Sequence, residues 1–164
     1  SAGTWHPSWV PKHIVKMTAE ELVTEAEASK ADFVVITGGE PLMHDLGPLT
    51  EAFQAAGFRT HIETSGVCET FTGKWDWICF SPKKFKAPNP AILPYVHELK
   101  VVIFHPSDVA WAADWISKIN PNAHLYMQPE WSKQTSINPL IVEFVKANPI
   151  WQISVQTHKF LQIP

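Results

Sequence analysis

One short stretch of the sequence joins a strand-like apolar run to residues that could hold a ligand. Residues 33–36 are all apolar and mostly β-branched, which predicts a strand buried on both faces. Thr37 ends the run, and Gly38 and Gly39 follow it, so a ligand could approach the bare main chain there. Glu40 adds a carboxylate to the same opening. Taken alone, the stretch is equally typical of an ordinary strand-ending turn.

Polar side chains also follow nearly every other predicted strand. In parallel β/α architectures the carboxyl ends of the strands share one rim, and ligands bind at that rim. For any single residue, capping a strand is the alternative explanation, but polar groups at so many strand ends favour a ligand site. The candidates at this rim are Thr37, Gly38, Gly39 and Glu40; Glu63, Thr64 and Ser65; Ser81, Pro82 and Lys83; His105; Gln128, Pro129 and Glu130; and Gln156, Thr157 and His158.

Six strands and four helices must position these residues. Apolar runs bounded by turn residues predict strands at 33–37, 59–63, 77–80, 99–104, 124–128 and 151–157. Start and stop signals predict helices at 18–29, 48–56, 107–120 and 138–147. This alternation predicts an α/β fold with a mainly parallel sheet, an open or abbreviated (partial) β/α barrel that forms a single domain over residues 1–164. A flat doubly wound sheet is the architectural alternative.

The first predicted helix has the clearest local signal. Thr18 and Glu21 have the types and spacing of a capping box, in which each side chain binds the backbone N–H of the other residue. The apolar residues that follow predict that this helix buries Leu22, Val23 and Ala26.

The composition excludes several classes of protein. The chain has 164 residues, 45% hydrophobic and 18% charged, which is typical of a globular domain. A net charge of −3 and a single arginine, Arg59, argue against nucleic-acid binding. No apolar run is long enough to span a membrane. Two cysteines, Cys68 and Cys79, are too few for a disulfide framework and predict a reducing, cytoplasmic location.

An ordered set of motifs resembles a known enzyme family. Residues 37–41, Thr-Gly-Gly-Glu-Pro, resemble the Gly-Gly-Glu-Pro motif with which the radical S-adenosylmethionine (SAM) superfamily receives the methionine end of SAM. Further segments are similar, in order and spacing, to 7-carboxy-7-deazaguanine synthases. They are Glu63-Thr64-Ser65-Gly66, Ser81-Pro82-Lys83, Gln128-Pro129-Glu130, and Gln156-Thr157-His158-Lys159 through Ile163-Pro164.

The resemblance implies a reaction, cofactors and site residues. The family converts 6-carboxy-5,6,7,8-tetrahydropterin to 7-carboxy-7-deazaguanine and ammonia in queuosine and deazapurine biosynthesis. It uses SAM, a [4Fe–4S] cluster and Mg²⁺, and the resemblance also implies a homodimer and an electron donor such as a flavodoxin. By position in the motifs, the SAM contacts are Gly38, Gly39, Glu40, Ser81, Pro82, Lys83, Gln128, Pro129, Glu130 and Trp131. The substrate contacts are Thr37, Glu63, His158 and the terminal carboxylate of Pro164.

The sequence departs from the family at the cluster. Family members hold it on a Cys-x3-Cys-x2-Cys loop after an N-terminal strand, and their Mg²⁺ ligand follows directly. This sequence has only Cys68 and Cys79, and its eight histidines lack metal-ligand spacing. We expect no metal ligand in this chain, with the cysteine loop and the Mg²⁺ ligand upstream of Ser1. Two other classes stay open: another radical SAM enzyme, such as a glycyl-radical activase, and a non-catalytic β/α protein that binds a small anion.

Overall fold

The protein is built on one parallel sheet. The computed structural model describes residues 15–162, and its six strands lie side by side in chain order, each parallel to its neighbours. The strands are β1 (Phe33–Ile36), β2 (Arg59–Thr64), β3 (Trp77–Phe80), β4 (Glu98–Ile103), β5 (His124–Pro129) and β6 (Trp151–Ile153). The α-helices are α1 (Ala19–Ala28), α2 (Gly47–Ala55), α3 (Ser107–Ala113), α4 (Gln134–Ala147) and α5 (Thr157–Leu161). Short 3₁₀ helices cover Pro41–Met43, Pro90–Tyr95 and Trp131–Lys133.

The strand order confirms the predicted α/β class and the partial barrel. When each new strand is added on the same side of the one before it, the sheet builds a barrel wall, whereas a doubly wound sheet reverses direction near its middle. Over residues 15–162 no reversal occurs, so the doubly wound alternative is wrong. In the same part of the chain β1 does not pair with β6, and the barrel is therefore open.

Alternation along the strands gives the sheet one apolar face. Leu99, Val101 and Ile103 of β4 are fully buried, and Ile137 and Ile141 of α4 belong to the same cluster. Burying each large aliphatic side chain contributes about 1.5–3 kcal/mol to stability. This layer between sheet and helices is therefore the main hydrophobic core.

The opposite face of the same strands is polar, and we call it the polar face. Residues that alternate with the buried ones lie here, and the strand register aligns them across the sheet. Charged side chains in the middle of a sheet are costly unless they are paired or face a ligand. This face is therefore the first place to look for a site. Its residues include His61, Glu63, Trp77, Cys79, Glu98, Lys100, His124, Tyr126 and Gln128.

Aromatic rings line the amino-terminal end of the polar face. Phe33 stacks on His61 with 4.6 Å between ring centres, and Trp77 stacks on His97 at 5.3 Å. His97 also accepts, through Nδ1, a hydrogen bond from the backbone N–H of Ile78 at 3.1 Å. These packed rings occupy the amino end of the face, which directs a ligand toward the carboxyl-terminal rim of the strands.

The first strand is less buried than its sequence predicted. Phe33 is 43% exposed and Val35 is 50% exposed, so the prediction of a strand buried on both faces is wrong. In the described part of the chain β1 pairs only with β2, and an edge strand lacks the cover that a second neighbour provides. Its apolar run therefore reflects one half-buried face and one exposed face.

The first and third helices also differ from their predictions. Leu22, Val23 and Ala26 of α1 are only half-buried, so the prediction that α1 buries them is wrong. The third helix ends at Ala113 and not near residue 120. Beyond it, the N–H of Ile116 binds the carbonyl of Ala113 at 3.2 Å, three residues back. Tight turns of this kind replace the α-helical pattern there.

The last third of the chain departs most from prediction. The fourth helix begins at Gln134 and includes Pro139, so the predicted start at residue 138 is wrong. The strand predicted at 151–157 has only three residues, and α5 follows it with His158 inside the helix. No helix among residues 15–162 is both long and apolar enough to cross a membrane.

The capping box at the start of α1 is confirmed and can be tested. The Thr18 hydroxyl accepts from the N–H of Glu21 at 3.2 Å, and the Glu21 carboxylate accepts from the N–H of Thr18 at 2.7 Å. We expect Thr18→Ala to lower the free energy of unfolding by about 1 kcal/mol, because the helix loses its cap. Thr24→Ala, inside the same helix, should change it by less than about 0.5 kcal/mol. Equal losses in urea unfolding would contradict the capping role.

Candidate active site at the carboxyl-terminal rim

The glycine-rich segment, residues 37–41, forms an open backbone edge after β1. Gly38 has a φ of 133°, a conformation that residues with side chains rarely adopt. A Cβ placed on Gly38 or Gly39 would meet no atom of residues 15–162 within 4 Å, so within this part of the chain the main chain borders free space. Thr37 is exposed beside them. A ligand can therefore contact the peptide groups of this segment directly.

The carboxylate of Glu40 is occupied by the protein itself. Its Oε1 accepts hydrogen bonds from the N–H of Leu42 at 3.2 Å and from the Thr64 hydroxyl at 2.5 Å. Its Oε2 accepts from the N–H of Ser65 at 2.8 Å and from the Ser65 hydroxyl. The side chain thus fastens the glycine-rich segment to the end of β2. The main chain of the segment, and not this carboxylate, remains available to a ligand.

The segment after β3 supplies a partly buried cation. Lys83 donates a hydrogen bond to the Ser81 hydroxyl at 3.1 Å. Burial lowers the pKa of Lys83, as does the charge of Lys100, whereas the carboxylates of Glu63 and Glu40 act in the opposite direction. These charges therefore lie within electrostatic reach of one another. An anionic ligand group would offset the cost of burying this ammonium, so the position suits a carboxylate.

A neighbouring lysine fastens the same segment to the start of α3. The ammonium of Lys84 pairs with the carboxylate of Asp108. Asp108 also accepts hydrogen bonds from the N–H groups of Phe104 at 2.8 Å and His105 at 2.9 Å. The rim residue His105 and the segment that carries Lys83 are therefore held by one carboxylate.

Acid should weaken this junction. Burial opposes ionisation of Asp108, but hydrogen bonds from Lys84 and the two backbone amides outweigh it and lower the pKa of the carboxyl below its ordinary 3.8. Such a group stabilises the fold fully above its ordinary pKa, and its contribution is lost as the pH falls through the folded-state value. We expect Asp108→Asn to lose less stability than the wild type as the pH falls below about 4. Urea unfolding at a series of pH values measures the free energy of unfolding of each protein, with Asp114→Asn, at an exposed position, as the control. The prediction is contradicted if the free energy of unfolding falls with pH equally in the wild type and in Asp108→Asn.

The end of β5 is held by polar contacts of its own. The side-chain oxygen of Gln128 accepts a hydrogen bond from the Ser154 hydroxyl at 3.1 Å. Glu130 accepts from the N–H of Ser132 at 2.9 Å and thereby caps the following 3₁₀ helix. Both predicted rim residues thus have protein partners, which fix their orientation at the rim.

Trp131 packs against the last helix. Its ring meets Phe160 of α5 edge-on, with 5.2 Å between ring centres, and Lys159 lies 5.2 Å from its centre. A mainly apolar cavity of about 140 Å³ adjoins Trp131 and Phe160. Ligand pockets usually measure about 300–1,000 Å³, so this cavity alone is too small for SAM or a pterin. The SAM contact at Trp131 stays a prediction.

The polar face carries an ion pair that the sequence analysis did not single out. Lys100 of β4 reaches across β3 and pairs with Glu63 of β2. Glu98, also on β4, accepts hydrogen bonds from the Trp77 indole N–H at 3.2 Å and the Cys79 thiol at 3.3 Å. Both charged residues of β4 alternate with buried aliphatic residues, a signal from which they could have been identified.

The structure brings together a central group of the predicted residues. The glycine-rich segment contacts the end of β2 through Glu40, and Lys83 lies within reach of the charges of Glu40 and Glu63. His158 lies beyond β6, at the opposite edge of the sheet from β1. Its substrate contact stays a prediction. Pro164 lies outside the described residues.

The residues present fit the methionine end of SAM but not an iron–sulfur cluster. The open glycine edge offers peptide groups, and Lys83 offers a cation for a carboxylate. A [4Fe–4S] cluster needs several thiolates in close spacing. Cys79 is buried in β3, where burial raises the pKa of its thiol, and Cys68 is the only other cysteine. Over residues 15–162, no three metal-binding side chains come together.

The fold and the site define a class of protein, the partial barrel of radical SAM enzymes. The chain superposes on the crystal structure of QueE from Escherichia coli with a TM-score of 0.74 and 28% identity, over 85% of this chain and 64% of that one. It is 44% identical over 156 residues to a 7-carboxy-7-deazaguanine synthase of Synechocystis sp., which spans 95% of this chain and 74% of the relative. The chain belongs to the 7-carboxy-7-deazaguanine synthase family.

Other relatives agree with this assignment. The family's member in Flavobacterium psychrophilum is 44% identical over 147 residues, which spans 90% of this chain and 70% of the relative. The member in Escherichia coli is 33% identical over 139 residues, which spans 81% of this chain and 61% of the relative. No family model matches the chain. Membership in this family decides against both alternatives, an activase and a non-catalytic anion-binding protein.

Proposed function

We propose that this chain carries the catalytic domain of a radical SAM lyase that converts 6-carboxy-5,6,7,8-tetrahydropterin to 7-carboxy-7-deazaguanine and ammonia. The observation that carries the proposal is 44% identity to a 7-carboxy-7-deazaguanine synthase over 95% of the chain. The open glycine edge at the rim supports it independently. The product belongs to queuosine biosynthesis, and so to tRNA modification.

Residues at the rim would hold SAM by its methionine end. The peptide groups of Gly38 and Gly39 would receive it, and the ammonium of Lys83 would lie near its carboxylate. Glu40 would act indirectly, because it fixes the glycine-rich segment against β2. SAM, when bound together with a reduced [4Fe–4S] cluster, would supply the radical chemistry that starts the ring contraction. The protein's own contribution is to orient the two ligands and to exclude water.

Glu63 is the best placed acceptor for the substrate. Its carboxylate lies on the polar face, at the carboxyl end of β2, and its side chain is partly exposed. An ionised carboxylate only accepts hydrogen bonds, and a pterin presents an amino group and ring N–H groups. Charge-assisted bonds of this kind are stronger than neutral ones. Thr37 and His158 are proposed as further substrate contacts.

Several further features are proposed on family grounds. They are a [4Fe–4S] cluster, for which Cys68 and Cys79 are not suited; Mg²⁺ near the substrate carboxylate; a flavodoxin-like electron donor; and a homodimer. A cytoplasmic location is supported by both cysteines being free thiols.

Turnover by the protein expressed from its complete gene tests the proposal. After anaerobic reconstitution, the enzyme is supplied with SAM, Mg²⁺, a reduced flavodoxin and the tetrahydropterin. We expect a product with the mass of 7-carboxy-7-deazaguanine, together with 5′-deoxyadenosine, and neither when SAM is omitted. A protein with a full cluster that cleaves SAM but leaves the pterin unchanged would refute the proposed substrate.

A further inference from the structure

An ion pair at the centre of the polar face joins two strands that are not neighbours. Lys100 of β4 contacts Glu63 of β2, although β3 lies between their strands. Neighbouring strands lie about 4.8 Å apart, so the lysine and glutamate side chains together bridge a gap of about 10 Å. Cys79 is the β3 residue aligned with Glu63, and its small side chain leaves room for this span. The contact depends on all three strands.

Only part of the Glu63 carboxylate is used by this pair. Lys100 binds Oε1, and no second hydrogen bond to the carboxylate occurs among residues 15–162. The Glu63 side chain is 41% exposed, whereas the Lys100 side chain is only 16% exposed. Because both oxygens of a carboxylate can accept, Oε2 remains available to a ligand. The lysine is the buried partner and the glutamate the accessible one.

The charges around Lys100 keep its side chain protonated, so that it can hold the Glu63 carboxylate in place. Burial opposes the charged form of Lys100, but Cys79, Glu63 and Glu98 outweigh it and raise the pKa of the lysine. Lys100 is therefore a cation at physiological pH. Without it, the Glu63 side chain would keep three rotatable bonds and would lose its ion-pair partner among residues 15–162. A freely rotating acceptor loses more side-chain entropy when a ligand binds.

We infer that Lys100 is a positioning residue for substrate binding: it fixes the Glu63 carboxylate so that the free carboxylate oxygen meets the N–H groups on the planar pyrimidine ring of a heterocyclic substrate. The inference rests on the proposed function, since the pterin is the heterocycle concerned. It assigns Lys100 no contact with SAM. The alternative is an ion pair that only stabilises the sheet.

A double-mutant cycle on pterin affinity separates these roles. Affinity for 6-carboxy-5,6,7,8-tetrahydropterin is measured by calorimetry on the unreduced, SAM-loaded enzyme, so no turnover is needed. We expect Lys100→Met and Glu63→Gln each to weaken pterin binding by about 10- to 50-fold, and the double variant no more than Glu63→Gln alone. Lys100→Arg, which keeps the charge, should recover most of the affinity. SAM affinity should stay within about twofold throughout.

Lys146→Met is the matched control, because it removes an exposed ion pair with Glu143 on α4. It should leave pterin affinity unchanged. Pterin affinity within twofold of wild type in Lys100→Met, or losses that multiply in the double variant, would overturn the inference. If Lys100→Met does not fold, Lys100→Gln and Lys100→Arg provide the same comparison. A wild-type enzyme that binds no pterin would instead refute the proposed function.

Discussion

Gly39→Val should weaken SAM binding by at least about 100-fold, or about 2.8 kcal/mol, while the protein stays folded. A Cβ at this position meets no atom of the described residues, 15–162, within 4 Å, so the added side chain costs the fold little. The same free space is where we propose that SAM approaches the peptide groups, and a branched side chain would fill it. Calorimetry gives the affinity, and circular dichroism confirms the fold.

Two further variants make this test specific. Gly39→Ala adds a single methyl group and should weaken SAM binding by less than the valine does. Ala55→Val adds a branched side chain at an exposed position of α2 and should leave SAM affinity unchanged. If folded Gly39→Val binds SAM as tightly as the wild type, the glycine edge does not form the SAM site.

Glu40→Ala should lower the free energy of unfolding by about 3 kcal/mol. The carboxylate accepts hydrogen bonds from Leu42, Thr64 and Ser65, and its loss would leave the Thr64 hydroxyl without this acceptor in a buried position. Hydrogen bonds to a charged group contribute about 1.5–3 kcal/mol, and several act together here. Urea unfolding measures the effect.

Glu40→Gln keeps the shape of the side chain at this position but removes its negative charge. The amide keeps one oxygen acceptor and loses the other, so about half of the loss is expected, about 1.5 kcal/mol. Glu25→Gln, on the exposed side of α1, should change stability by less than about 0.5 kcal/mol. A Glu40→Ala protein as stable as Glu25→Gln would show that the carboxylate does not hold the two segments together.

Local patterns in the sequence predicted most of the elements. Five of the six strands lie within one or two residues of their predicted bounds, because short apolar runs between turn residues are a local signal. The last strand is the exception: only Trp151–Ile153 pairs with β5, and the chain after it turns into α5. The capping box of α1 could also be predicted from the sequence, since its partners are three residues apart. The exposure of β1 could not be predicted in this way, because it depends on which strands lie beside it.

The sequence alone determined the parallel α/β class, the glycine edge and the family motifs, since each is encoded in contiguous residues. Only the tertiary structure decided what the charged groups of the site do. Glu40 meets Ser65 across 25 positions of sequence, and Lys100 meets Glu63 across 37. Such contacts depend on strand order and register, which bring distant residues to one face of the sheet. Local periodicity indicates that a residue is polar and where it faces, but it does not identify the partner on another strand.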